Sequence, residues 1–195
     1  IGEPMANAQT ILATCQQLNA QSVAVAVFPE LFLSGYSAED LFFTETLLQD
    51  TRRALALLCK KSTLPLIAVG APWRLRDGRL LNCAVLIGQG RILGMVPKSV
   101  QPNYGEVYDL RWFAPGGQVN ETEVTEDLGS FQIRVDQLFE FDQHLLGVEI
   151  CEDLWAPLTP GTNAALAGAQ VMLNLSASNE LISKADYRRD LVRMT

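Results

Sequence analysis

Residues 147–155 read GVEICEDLW, and they decide how the rest of the chain is interpreted. The apolar run from Leu145 to Ile150 stops at Cys151 and is followed at once by two carboxylates. This pattern indicates a buried strand whose end presents a thiol at the rim of a sheet, where a ligand can reach it. Cys83, by contrast, lies inside the apolar run 80–87, which is the usual place for a packing cysteine. Because the thiolate is the nucleophilic form and its reactivity depends on a polar setting, Cys151 is the first candidate catalytic residue.

Apolar periodicity on either side of this stretch predicts an α/β fold with mixed sheets. Helical spacing is found at residues 6–18, 47–60, 164–169 and 186–194. Short apolar runs predict strands at residues 23–28, 66–69, 80–87, 91–96, 131–135, 145–150 and 171–175. The segment 97–117 is irregular, and the acidic segment 120–128 is interpreted as a surface excursion. Strands that alternate with helices, with a hairpin at 80–96, favour a sheet that is mixed rather than purely parallel.

The composition limits the domain count and the class of partner. The chain has 195 residues, 48% of them hydrophobic, and a formal net charge of −7, which fits one domain, residues 1–195, with one sizeable core. The net negative charge argues against nucleic acid or an anionic membrane as the main partner. No apolar stretch reaches the roughly 18 residues of a membrane span. Four cysteines without a CxxC pair and a single histidine predict reduced thiols, a cytoplasmic location and no metal site.

Two charged residues end apolar strands in the same way as Cys151. Glu30 follows the run 23–28, and Lys98 follows the run 91–96, each after a proline that stops the strand. If these strand ends face the same way, a carboxylate, an ammonium and a thiol converge. The carboxylate can take the thiol proton, while the ammonium favours the thiolate and stabilises a developing oxyanion.

The sequence also contains another candidate base and allows a second interpretation. His144, the only histidine, precedes Cys151 by seven residues of one strand, roughly 23 Å at about 3.3 Å per residue, so it cannot be the base. The alternative is that Glu30 and Lys98 form a surface ion pair and that Cys151 is inert, since short apolar runs that end in charges are common. The strand ends alone leave both interpretations open.

Three sequence blocks resemble the signature blocks of the nitrilase (carbon–nitrogen hydrolase) superfamily. They are FPELFLSGY at 28–36, PKSVQPNY at 97–104 and ICEDLW at 150–155. Within the superfamily the chain is most similar to the glutaminase domains of glutamine-dependent NAD⁺ synthetases. Three further blocks are typical of that branch: RWF at 111–113, NLSAS at 174–178 and YRR at 187–189.

The resemblance implies an α-β-β-α sandwich in which Cys151 is the nucleophile, Glu30 the general base and Lys98 the lysine that stabilises the oxyanion. Cys151 would attack the side-chain amide of L-glutamine, release ammonia and form a glutamyl thioester, which water would hydrolyse. The backbone N–H of Glu152 would share the oxyanion with Lys98. The resemblance also places side chains around the glutamine: Tyr36, Tyr104, Asp109, Glu152, Trp155, Ser178 and Lys184. Trp155 fits a core anchor equally well, and Lys184 suits the α-carboxylate.

The sequence departs from the resemblance in two respects. Many relatives carry a second glutamate five residues after the tyrosine of the lysine block, where this chain has Asp109. Asp109 is the favoured residue for reaching the substrate amine, and Glu106 is the alternative. The superfamily's first and last strands have no counterpart, position 1 is Ile, and the chain stops inside a helical pattern. We therefore expect a fragment of a longer protein, with an exposed sheet edge.

The resemblance also implies partners outside this chain. No Ser-Gly-Gly-x-Asp-Ser loop and no Walker sequence occurs in residues 1–195, so this chain is expected to need no cofactor. ATP and Mg²⁺ are expected in a C-terminal synthetase domain that would receive the ammonia, and a homo-oligomer is expected. Two other functions stay open: a stand-alone amidase or carbamoylase of the same superfamily, and a non-catalytic oligomerisation module.

Overall fold

The computed structural model of the protein describes residues 1–194 and contains two main sheets. The strands are β1 (Val25–Val27), β2 (Leu66–Arg74), β3 (Leu80–Gly88), β4 (Arg91–Pro97), β5 (Asn103–Tyr104), β6 (Val107–Tyr108), β7 (Asn120–Thr125), β8 (Gly129–Arg134), β9 (Phe139–Phe141), β10 (His144–Ile150) and β11 (Val171–Leu175). The larger sheet has the order β1-β2-β3-β4-β8-β7 and the smaller one the order β11-β10-β9. β5 and β6 form a separate hairpin.

Both sheets are mixed, as the sequence predicted. In the larger sheet β1 is parallel to β2 and β4 is parallel to β8, whereas the pairs β2–β3, β3–β4 and β7–β8 are antiparallel. In the smaller sheet β10 is parallel to β11 and antiparallel to β9. The parallel pairs bring the carboxyl ends of neighbouring strands to the same edge, which is where a site can form.

The helices are α1 (Pro4–Asn19), α2 (Glu45–Lys61), α3 (Pro160–Leu166) and α4 (Lys184–Met194). The first three cover the outer faces of the two sheets. α1 and α2 pack on the larger sheet, where Ile11 and Leu55 join one buried cluster with Val69. α3 contacts β10 of the smaller sheet. The layers are therefore α-β-β-α, and within residues 1–194 no helix has the length and apolar character needed to cross a membrane.

The central strand β3 shows how the two cores are separated. Every residue of β3 is buried. Cys83 and Val85 point into the core beneath α1 and α2, whereas Ala84 and Leu86 point into the core between the sheets, where they meet residues such as Val148. This alternation follows from the two-residue period of a strand, and it places Cys83 as a packing residue in the core beneath α1 and α2.

Four expectations about the elements need correction. Residues 120–125 form strand β7 rather than a surface excursion, because an edge strand exposes polar side chains on most of its length. The helix predicted at 164–169 is α3, which begins four residues earlier, at Pro160, where the Thr159 hydroxyl accepts the Thr162 N–H. Strand β9 was not predicted. β2 continues to Arg74, five residues beyond the predicted strand at 66–69.

Candidate active site

Lys98 lies directly after β4, and its side chain is completely buried. Its Nζ is 2.6 Å from Glu30 Oε1 and 3.1 Å from Asp109 Oδ2. Burial alone would lower the Lys98 pKa, but Glu30, Cys151 and Asp109 outweigh it and raise the pKa to about 12. Lys98 is therefore a permanent cation. An ammonium has three N–H donors, so two bonds to carboxylates leave one donor for a substrate oxygen.

Glu30 is held by elements of both sheets. Its Oε1 accepts a hydrogen bond from Asn82 Nδ2 at 2.8 Å, and its Oε2 accepts one from the backbone N–H of Ala177 at 3.2 Å. The backbone at Glu30 lies so close to β2 that a Cβ on Gly70 would come within 2.2 Å of the Leu31 nitrogen. Gly70 is therefore required for Glu30 to take this position.

Cys151 begins a short 3₁₀ turn, Cys151–Trp155, at the end of β10. Its backbone has a φ of +47°, a left-handed conformation that costs a residue with a side chain of the order of 1–3 kcal/mol. Burial, followed by the charge of Glu30, raises the pKa of its thiol to about 11, against the opposing effect of Lys98 and of hydrogen bonds with Ser176 and Ala177. The resting group is therefore a neutral thiol, which needs a base before it can act as a nucleophile.

Asp153 ties the turn at Cys151 to the chain that follows Lys98. Its Oδ1 accepts the backbone N–H groups of Ser99 at 3.0 Å and Val100 at 2.9 Å, and its Oδ2 accepts that of Ile150 at 3.0 Å. The residue is completely buried. This carboxylate, which the sequence did not mark as a catalytic or substrate-binding residue, joins the ends of strands from two different sheets.

Asp109 and Tyr36 complete the polar shell around Lys98. Besides its bond with Lys98, the Asp109 carboxylate accepts the Tyr36 hydroxyl, at 2.9 Å to Oδ1 and 3.2 Å to Oδ2. Asp109 is 2% exposed. Burial, followed by the charges of Asp109 and Glu30, raises the Tyr36 pKa. Both oxygens of Asp109 are thus hydrogen-bonded within the protein.

A cavity of about 480 Å³ opens above these groups. Cys151 lines it, together with most of the residues that the sequence assigned to a substrate pocket, namely Tyr36, Tyr104, Asp109, Glu152, Ser178 and Lys184. At its rim the Tyr104 hydroxyl donates to Glu152 Oε1 at 2.8 Å. The Glu106 side chain, the alternative to Asp109, also lines this cavity and lies at its exposed rim.

Trp155 lies outside this cavity, whereas one of the two roles considered for it was in the wall of the glutamine pocket. In a 3₁₀ turn a residue four positions after Cys151 points about 120° away from it. The Trp155 ring stacks on Tyr187 of α4 at 5.5 Å, with the Lys184 ammonium 5.4 Å from its centre. It lines a neighbouring cavity of about 390 Å³, which Cys151 and Glu149 also line.

Three residues of the site escaped the sequence analysis. Asn82 lies inside an apolar run, where only its polar side chain could have signalled a partner. Gly70 follows a predicted strand and was interpreted as its end. Asn179, next to Ser178, is hydrogen-bonded to both Lys184 and Glu106.

His144 is exposed at the opposite end of β10 from Cys151. Among residues 1–194, no group of three or more His, Cys, Asp or Glu is arranged to hold a metal ion.

Known proteins with the same fold include glutamine-dependent synthetases and amidases. A glutamine-dependent NAD(+) synthetase of Mycobacterium leprae is 42% identical over 198 residues, covering 99% of this chain and 29% of its own length. The structure of a glutamine-dependent NAD⁺ synthetase from Acinetobacter baumannii in complex with ADP has a TM-score of 0.85 at 26% identity, covering 100% of this chain and 33% of that one. An amidase of the nitrilase superfamily from Nesterenkonia has a TM-score of 0.77 at 18% identity, covering 99% and 66%, and shares the fold.

These similarities extend over almost the whole chain. The chain spans about 29% of the length of the Mycobacterium leprae relative. The sequence model of the carbon–nitrogen hydrolase family matches residues 2–194, so the resemblance drawn from the three sequence blocks and the α-β-β-α architecture is confirmed. The chain belongs to the carbon–nitrogen hydrolase family.

Proposed function

We propose that residues 1–195 form the glutaminase domain of a glutamine-dependent NAD⁺ synthetase. The domain hydrolyses the side-chain amide of L-glutamine and supplies ammonia to an ATP-dependent synthetase domain that amidates nicotinic acid adenine dinucleotide. The observation that carries the proposal is the buried pair of Glu30 and Lys98, 2.6 Å apart, beneath the neutral thiol of Cys151. The 42% identity with a synthetase relative supports the choice of branch.

The reaction proceeds in two halves. In the first, Glu30 takes the Cys151 proton as the sulfur attacks the amide carbon, and the carbonyl oxygen becomes an oxyanion. Lys98 Nζ and the backbone N–H of Glu152 stabilise that charge where it develops. Glu30 returns the proton to nitrogen as the carbon–nitrogen bond breaks, which releases ammonia and leaves a glutamyl thioester.

The second half uses the same base on water. Glu30 takes a proton from water, whose oxygen attacks the thioester carbonyl, and Lys98 again stabilises the oxyanion. The carbon–sulfur bond breaks, the sulfur regains a proton from Glu30, and glutamate leaves. No cofactor takes part in either half, because ATP and Mg²⁺ act in the synthetase domain.

We also propose that the protein is cytoplasmic and forms a homo-oligomer. Its four cysteines are free thiols in the structure, which suits a reducing, cytoplasmic compartment. A homo-oligomer is proposed because large apolar side chains are exposed on and beside α3 and α4, namely Leu158, Leu166, Ile182, Val192 and Met194.

The function is tested by measuring glutamate and ammonia release from L-glutamine by the full-length natural protein. Cys151→Ala is expected to abolish release, whereas Cys59→Ala, a half-buried cysteine away from the cavity, is expected to retain it. Release that survives in Cys151→Ala would overturn the assignment of the nucleophile. A wild type that hydrolyses simple aliphatic amides but not glutamine would instead favour a stand-alone amidase.

A further inference from the structure

Asn82 is a completely buried amide in β3, a strand that is otherwise made of apolar residues, a cysteine and a glycine. Its Nδ2 donates to Glu30 Oε1 at 2.8 Å. Its Oδ1 is also buried but has no hydrogen-bond partner among residues 1–194. A buried acceptor without a partner costs free energy that an apolar side chain would avoid. The bond to Glu30 is therefore the contact that accounts for an amide at this position.

The main chain of Asn82 holds the second charged residue of the site. Its carbonyl oxygen accepts the backbone N–H of Lys98 at 2.8 Å. This bond extends the antiparallel pairing of β3 and β4 by one residue, since Cys83 lies opposite Pro97. One residue of β3 thus fixes both the start of the Lys98 side chain and the orientation of the Glu30 carboxylate. Asn82 is not part of the cavity lining, so it has no contact with a substrate.

The two oxygens of the Glu30 carboxylate have different surroundings. Oε1 accepts two hydrogen bonds, from Asn82 Nδ2 and from Lys98 Nζ at 2.6 Å. Oε2 accepts one, from the backbone N–H of Ala177 at 3.2 Å, and the same N–H is hydrogen-bonded to the Cys151 sulfur. The two oxygens of a carboxylate offer about four lone-pair positions between them. Oε1 is therefore fully occupied, whereas Oε2 has an open position on the side of the sulfur.

This difference determines which oxygen can carry a proton during the reaction. The base has to take the thiol proton and then give it to the leaving nitrogen, so the oxygen that carries it must face both groups. A proton on Oε1 would lie on the side of Lys98 and Asn82, away from the sulfur. Without the amide of Asn82, one lone pair of Oε1 is free, and Oε1 competes with Oε2 for the proton.

We propose that Asn82 is a positioning residue for the general base: its amide occupies Oε1 of Glu30, so that Oε2 takes the Cys151 proton and returns it to the leaving nitrogen. The inference rests on the proposed hydrolysis by Cys151 and Glu30, and it adds the oxygen through which the proton passes. The amide donor also favours the ionised carboxylate, because hydrogen bonds to a charged form stabilise that form.

The test measures kcat and KM for L-glutamine with the full-length natural protein and its Asn82→Leu and Asn82→Ala variants. Both variants lack the donor, and kcat is expected to fall about 10- to 100-fold with KM nearly unchanged, the size of effect typical of a hydrogen bond to a charged group. The acid limb of the pH profile of kcat/KM, where the base becomes protonated, should move upward by about one pH unit. Leucine fills the space of the amide and alanine leaves it empty, so a packing defect would affect the two variants differently.

Asn174→Leu is the matched control. Asn174 Nδ2 donates to Glu149 Oε1 at 3.1 Å, which is a second amide–carboxylate pair near Cys151 but one outside the reaction. This variant should leave the acid limb where it is in the wild type. The rate of Cys151 alkylation by iodoacetamide at pH 8 checks that the nucleophile is in place, and it should be equal in the wild type and in both Asn82 variants.

The outcomes separate this inference from the function on which it rests. An active wild type whose Asn82 variants keep kcat and the acid limb overturns the inference alone, as does a loss that lies in KM or an equal shift of the acid limb in Asn174→Leu. A wild type that hydrolyses neither glutamine nor butyramide overturns the proposed function. A wild type that hydrolyses butyramide alone overturns the choice of glutamine, and the same variants then decide the inference with butyramide as the substrate.

Discussion

At the scale of single residues, Glu30 has two opposite effects on Cys151. Burial is the largest cause of the raised thiol pKa, and the negative charge of Glu30 is the second. Glu30 therefore disfavours the thiolate in the resting protein. As a base it is also the group that removes the thiol proton during the reaction. Reactivity toward a small alkylating agent and turnover of an amide therefore depend on Glu30 in opposite directions.

We expect Glu30→Gln to accelerate alkylation of Cys151 and to abolish amide hydrolysis. Removing the carboxylate lowers the thiol pKa from about 11, because Lys98 still favours the thiolate and the negative charge that opposed it is gone, although burial remains. At pH 8 a larger fraction of the sulfur is then ionised, so iodoacetamide should react faster than with the wild type. The measurement is the alkylation rate between pH 6 and pH 10, alongside glutamate release.

Cys151→Ala gives the background labelling of the three other cysteines. Slower alkylation in Glu30→Gln than in the wild type would mean that Glu30 assists ionisation at rest. Retained glutamate release would remove Glu30 as the base. Either result contradicts the present assignment of roles at this residue.

At the scale of elements, the site depends on how closely the segment after β1 approaches β2. The Glu30 carboxylate reaches Lys98 only because position 70 of β2 lacks a side chain, which allows the backbone of residues 29–31 to lie against it. A Cβ there would meet backbone atoms, which cannot move aside as a flexible side chain can.

Gly70→Ala is therefore expected to destabilise the protein and to impair the site together. Overpacking of this kind costs about 1–3 kcal/mol, and here the displaced backbone carries the proposed general base. Gly117→Ala is a matched control, because an added Cβ would meet Ser99 at 3.7 Å, an ordinary contact. The measurements are the free energy of unfolding in urea and the rate of glutamate release. Equal effects of the two substitutions would contradict the argument.

The elements also differ in how far the sequence predicted them. Strong apolar runs predicted the central strands, because burial of both faces leaves a continuous hydrophobic signal. The helices α1 and α2 were predicted from the helical spacing of their apolar residues. The edge strand β7 was missed, since an edge strand exposes polar residues and resembles a loop. Glu30, Lys98 and Cys151 were recognisable as strand ends. Asn82 and Asn179 were not, because the carboxylates that they contact, Glu30 and Glu106, lie far away in sequence.

At the scale of the whole molecule, the site belongs to neither sheet alone. Glu30, Asn82 and Lys98 come from the larger sheet or its strand ends, whereas Cys151 and Ala177 follow strands of the smaller one. Packing of the two sheets therefore sets the distances in the site. Sequence patterns show which residues end strands but not how two sheets align. The distances between site residues of different sheets could therefore be obtained only from the structure.

Asp153 is a carboxylate that links the two sheets, and its titration should be visible in the stability of the protein. Burial raises its pKa from 3.8 to about 6, against three backbone N–H bonds and the charge of Lys98, which lower it. A folded-state pKa above the unfolded value stabilises the fold most below about pH 3.8. That contribution is lost as the pH rises through 6, and it amounts to at most about 3 kcal/mol, since one unit of pKa is worth about 1.4 kcal/mol.

We expect Asp153→Asn to be less stable than the wild type at every pH, because the amide N–H₂ would face the Ile150 N–H in place of an acceptor. The variant lacks the titrating group, so its deficit in unfolding free energy should shrink between pH 4 and pH 7. Urea unfolding of both proteins across that range measures it. Asp142→Asn, at an exposed turn, is the control and should show a constant difference. A deficit that widens toward pH 7 would mean that the ionised form of Asp153, rather than the protonated one, is favoured by folding.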